Sequence, residues 1–162
     1  MRSAIAALAL VGALCGNAAA TDLHAFWDQT CKDCHGQHSA DFARTFLKVE
    51  NGKLLGRHHV DDLRTFLGQH HMSEPVAGRI HDMLLAQAAT VPVFKAKCAG
   101  CHETAADLVR TSVDEVNGVL IGKKRRAPLS SFLQRHGGGL SGADLDAVLK
   151  ALARLRAETK AP

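Results

Sequence analysis

Cys31-Lys32-Asp33-Cys34-His35 and Cys98-Ala99-Gly100-Cys101-His102 are two copies of one pattern, C-x-x-C-H. The 162-residue sequence holds five cysteines; four sit in these motifs and the fifth, Cys15, lies in the first twenty residues. A two-residue gap keeps both thiols within one helical turn, where residues three apart are neighbours. A lone C-x-x-C suits a redox disulfide or half of a zinc site. A zinc site would need both pairs to meet around one ion, and neither it nor a pair of disulfides gives the following histidine a role.

The complete pattern is that of covalent haem attachment. The two thiols add across the two vinyl groups of haem, and the adjacent histidine lies under the ring as proximal iron ligand. The expected cofactors are two haem c groups. Cys31, Cys34, Cys98 and Cys101 supply the thioethers, and His35 and His102 bind iron.

Outward from the motifs, the chain repeats itself. Ala40–Thr45 answers to Ala106–Thr111, Asn51–Gly56 to Asn117–Gly122, and Thr65–His70 to Ser131–His136, all at one offset of 66. Each unit reads as short helices joined by glycine-rich turns. The Asn-Gly blocks are expected to be turns. Leu63, Phe66 and Leu67, like Leu129, Phe132 and Leu133, form a helix face before a late histidine. An amphipathic helix closes each unit, with Val76, Ile80, Met83 and Leu84 on its stripe in the first. In the second the stripe is Leu145, Val148, Leu149, Leu152 and Leu155, with Ser141 or Asp144 as cap. Pro92 places the boundary near Thr90–Pro92.

With Trp27 four residues before Cys31 and Phe94 four before Cys98, the chain resembles a tandem of small class I c-type cytochrome domains. The resemblance covers most of the chain after residue 20; it is specific in the C-x-x-C-H motifs and looser elsewhere. It implies an all-α fold of two small helical domains, residues 21–91 and 92–162, each wrapped around one covalent haem. It also implies that the aromatic packs near the haem, and that the distal ligand, usually Met, precedes the last helix.

The second repeat departs from that pattern, because after His102 it contains no Met and a single His. His136 is therefore the expected distal ligand of the second haem, with Lys123, Lys124 or a group from the other unit as alternatives. Its counterpart His70 is expected to serve the first haem, with His71 and Met72 as alternatives. Met83 is read as core, His58-His59 as a polar turn matching Lys124-Arg125, and His24, His38 and His81 as solvated.

Residues 1–20 read as a secretory signal: Arg2, an apolar run from Ala4 to Cys15, and Ala18-Ala19-Ala20 before the cut. The expected location is the periplasm. Of 20 Lys and Arg, Arg2 leaves with the signal, so 19 face 16 Asp and Glu. So small an excess gives no argument for nucleic acid, and no other segment reaches membrane-spanning length. The run Lys123-Lys124-Arg125-Arg126 is expected to steer an acidic redox partner.

Two imidazoles per iron leave no open position, so the expected function is electron transfer, as a free carrier or as a subunit of an oxidoreductase. The alternatives are a dihaem enzyme, of peroxidase or sulfur-compound oxidase type, and a haem sensor. Both need a sixth position that opens.

Overall fold

The computed structural model describes residues 21–136 and 139–160. The expected export signal lies outside the described residues, as do Gly137 and Gly138 ahead of the last helix.

The first unit runs α1 (Leu23–Thr30), α2 (Lys32–His35), α3 (Ser39–Phe46), β1 (Leu47–Glu50), β2 (Lys53–Gly56), α4 (Leu63–Leu67) and α5 (Val76–Ala89). The second runs α6 (Val93–Lys97), α7 (Ala105–Ser112), β3 (Val113–Val116), β4 (Val119–Gly122), α8 (Leu129–Leu133) and α9 (Gly142–Thr159). Every element from α3 to α4 recurs 66 residues later, with the same length.

This architecture corrects the all-α expectation. The fold is mixed, with nine helices among the described residues and two antiparallel two-stranded sheets. Leu47-Lys48-Val49-Glu50 alternates apolar and polar side chains, the period of a strand, and pairs with residues 53–56 in the register Leu47 to Gly56. Between the strands Asn51 and Gly52 have φ of 49° and 75°, and Asn117 and Gly118 repeat this at 50° and 77°. Two successive positive φ values are what a type I′ hairpin turn requires, and Asn-Gly tolerates them best. The Asn-Gly blocks are turns, but turns of hairpins.

Two apolar cores lie within the units. The first gathers Leu23, Trp27, Leu54, Leu63, Leu67, Ile80, Met83 and Leu84. Trp27 is 3% exposed and donates from Nε1 to the Gly36 carbonyl at 3.0 Å, tying α1 to the end of the C-x-x-C-H turn. The second gathers Val109, Val113, Leu120, Leu129, Leu133, Leu140, Val148, Leu152 and Leu155, without a buried aromatic. Ser141 stands at the cap position of α9, but its side chain makes no capping bond.

The units touch through α1, which packs on α5 and on α9. Asp22 caps α1 by accepting from the His24 and Ala25 amides, and the same carboxylate takes Arg110 of α7 at 2.8 and 3.0 Å. His24 Nε2 lies 2.9 Å from Glu158 of α9, which also takes Arg154 at 2.7 Å. These contacts correct the expectation of a solvated His24. Lys95 pairs with Asp41 at 3.0 Å across the junction.

Burial pushes the Asp22 carboxyl up, but Arg110 and the Ala25 amide outweigh it, so its pKa lies below the ordinary 3.8. A carboxylate depressed on folding stabilises above its unfolded pKa and loses that contribution as pH falls through the folded value. Asp22→Ala is therefore expected to cost about 2 kcal/mol at pH 7, from the lost cap and charge-assisted bonds. The gap in melting temperature to the parent should narrow once pH drops below 3.8. A gap that stays constant from neutral to acid pH would refute this role.

Candidate haem-binding sites

Each C-x-x-C-H motif closes one tight turn. The His35 amide donates to Cys31 O at 2.9 Å and that of His102 to Cys98 O at 3.0 Å; the second cysteine of each motif reaches the same carbonyl. The turn brings both sulfurs of a pair to one end of α1 or α6. All four cysteines are free thiols; Cys31 is buried, Cys98 half-buried, and Cys34 and Cys101 are exposed. Burial raises the Cys31 and Cys98 pKa above the ordinary thiol value, with the Cys34 charge adding to the rise at Cys31.

The late histidines come to these turns from the far side of each unit. α4 begins at Asp62, whose side chain accepts from the Arg64 amide at 2.9 Å, and the chain turns past Gly68 to present His70. The His70 and His35 ring centres lie 5.9 Å apart. In the second unit α8 leads to His136, 6.1 Å from His102. An iron held between two imidazoles by bonds of about 2 Å each separates the ring centres by roughly 6 Å. Both pairs have that spacing.

Phenylalanines hold the late histidines. Phe66 and Phe132 each stand one helical turn before their histidine and stack on it, with ring centres 4.9 and 4.5 Å apart and planes within 23° and 25°. Phe42 meets His35 edge-on at 4.7 Å, with Phe46 beyond it. Phe46, Phe66 and Phe132 are 47%, 38% and 41% exposed. Large apolar rings left in water beside ligand-type histidines form a surface suited to a flat apolar group. A cleft of about 220 Å³ runs along His35, His38, Phe42 and Phe46.

Of the three residues expected to compete for the first distal position, His70 faces His35. His71 is exposed, with φ of 57°, and leans on the edge of His70 at 4.7 Å. Met72 is half-buried against the first core. Burial, then the neighbouring charges of His71 and His35, lowers the His70 pKa, which favours the neutral imidazole that can bind metal. Met83 is core, 1% exposed.

Among the described residues no three His, Cys, Asp or Glu converge as a protein-built metal cage would need. What each unit offers is two imidazoles at ligand spacing, one of them in a turn that carries two thiols. That set fits a metal whose remaining donors come from a macrocycle attached through sulfur.

The basic run is less free than its composition implies. Lys123 donates from Nζ to the Arg110 carbonyl, and Arg126, at φ 53°, pairs with Asp114 at 3.0 Å. The Glu115 amide, then Arg126 and Arg156, hold the Asp114 pKa down at about 2. Lys124 and Arg125 remain exposed, where the first unit has His58 and His59. His59 stacks on Phe66 at 4.3 Å and lines a second cleft with His58 and Asp62. His81, expected in solvent, is 3% exposed and ringed by charge; its partners Asp62, Arg64 and Asp82 lack the local periodicity that marks a core position in sequence.

No helix among the described residues is long and apolar enough to cross a membrane. No protein-family model matches the chain, and comparison with curated proteins and with solved structures gives no match.

Proposed function

We propose that this chain is an exported, periplasmic dihaem c-type cytochrome that passes single electrons between redox proteins. The observation that carries this reading is the pair of opposed imidazoles, 5.9 and 6.1 Å between ring centres, each beside a C-x-x-C-H turn. Haem supplies a one-electron iron couple. The cysteines hold the group by thioethers, so it is retained outside the cell's interior. His35 and His70 would hold the first iron, and His102 and His136 the second. Phe66 and Phe132 fix the planes of the distal rings, and Phe42 and Phe46 keep water from one edge of the first site. Two strong ligands on each iron exclude substrate from the metal and leave outer-sphere transfer as the activity. Lys124 and Arg125, exposed on the second unit, give an acidic partner a point of approach.

Optical and EPR spectra of both redox states, with and without carbon monoxide, test this directly. Two low-spin centres indifferent to carbon monoxide are expected. A high-spin signal, or rapid carbon monoxide binding in the unmodified protein, would move the assignment to an enzyme or a sensor.

A further inference from the structure

His81 is the most deeply buried charged-type side chain of the first unit, and carboxylates flank both of its ring nitrogens. Asp62 Oδ1 lies 2.7 Å from Nε2, within ion-pair distance but without the alignment of a hydrogen bond. At Nδ1 two groups compete. Asp82 Oδ1 is 3.1 Å away and can only accept, while Arg64 Nη2 is 3.1 Å away and can only donate. Neutral His81, protonated on Nε2, accepts from Arg64 at Nδ1. Protonated His81 donates to Asp82 instead. The site is built for both states, and each has its own partner.

Its surroundings give a route and a lever. From α4 come Asp62 at its cap and Arg64; from α5 comes Asp82, to which Arg64 also donates; and Glu74 lies beside Arg64 over Gly78. From α1, α3, β1 and β2 no charged group comes within ion-pair distance of the ring among the described residues. Burial pushes the Asp62 carboxyl up, but the Arg64 amide, His81 and the Leu54 backbone outweigh it and hold its pKa below the ordinary value. Asp82 is largely exposed and joins buried Nδ1 to water. Arg64 belongs to α4, the helix whose Phe66 stacks on His70. The second unit has none of this. The positions matching Asp62 and Arg64 are Pro128 and Ser130, and α9 carries no histidine.

Resting on the dihaem reading above, we propose that the first centre is proton-coupled and the second is not. A haem held by His35 and His70 would supply a one-electron couple, and an electron arriving there from a protein donor would be matched by one proton from solvent. The Nδ1–H bond of His81 forms as an O–H bond of hydronium breaks, with Asp82 as relay. The exchange of Arg64 for Asp82 at Nδ1 would pass to the His70 arm through α4, which carries both Arg64 and the Phe66 stacked on His70. His81 acts here as a positioning and proton-holding residue that touches neither haem nor partner.

The test is a redox titration of the holoprotein across about pH 5 to 8, where histidines titrate. One of the two potentials should fall as pH rises, by a fraction of the tenfold-per-pH-unit limit, 59 mV for one electron. The other should stay nearly flat. His81→Gln, which cannot take up a proton, should flatten the sloping potential and leave the second unchanged. A slope that survives this substitution, or two flat potentials in the parent, overturns the proposal. Should the variant fold poorly, imidazole NMR of the unmodified protein near neutral pH serves instead. His81 should gain a proton on reduction, and no change between redox states overturns the idea. Failure of the haem reading itself is distinguishable, because two low-spin centres would then be missing at a single pH.

Discussion

On the proposed dihaem reading, changing Cys98 and Cys101 together to serine is expected to remove one haem per chain and to unfold the second unit. Its core consists of nine aliphatic side chains with no buried aromatic, in about seventy residues. A unit of that size buries too little apolar surface to offset chain entropy without a staple. Phe132 is left 41% exposed, on the side where haem would cover it. Amide exchange should report this by region: protection in α7 and α9 should drop by several kcal/mol, toward zero. The matching serine pair at Cys31 and Cys34 should do less harm, because Trp27 anchors the first core and binds the Gly36 carbonyl. A double-serine protein that keeps a sharp melt and protected α9 amides would show that the unit stands without its cofactor.

His136→Ala should convert half of the low-spin signal to high-spin and open the second iron to carbon monoxide. Among the described residues His136 is the side chain facing His102, and Phe132 fixes its ring, so no neighbour is poised to replace it. His70→Ala should do the same at the first iron, whereas His71→Ala and Met72→Ala should leave both centres low-spin. His71 points its exposed ring at the edge of His70, and Met72 packs on the core. Low-spin spectra in both His70→Ala and His136→Ala would remove the assigned ligands, and with them the argument for saturated iron.

Much of this geometry was legible in the chain because duplication wrote it twice. The helix faces read before His70 and His136 are α4 and α8, and the offset of 66 residues made the two histidines counterparts. The hairpins were missed although their signal was present. Leu47-Lys48-Val49-Glu50 alternates, and Asn-Gly follows it, but four residues of alternation between helices are too few to outweigh a helical reading. Other errors had no local signal at all. His24 is half-buried because Glu158, 134 positions away, meets it, and His81 is buried because the folding of α4 onto α5 brings Asp62 to it. Arg126 was counted with its neighbours as free charge, and only the hairpin brings Asp114 beneath it. Periodicity reports which face of a helix is apolar. It does not report which distant carboxylate will come to rest against a histidine.

The packing of α1 against α9 imposes an order of assembly. Synthesis delivers α1 before α9, and every contact that α1 makes with the second unit must wait for the later segments. Asp22 can cap its helix at once, but Arg110 arrives 88 residues later and Glu158 meets His24 later still. During that interval the first C-x-x-C-H turn stands on a helix with one side uncovered. Arrival of α9 then closes that side, so the later helix acts as a latch on the earlier one.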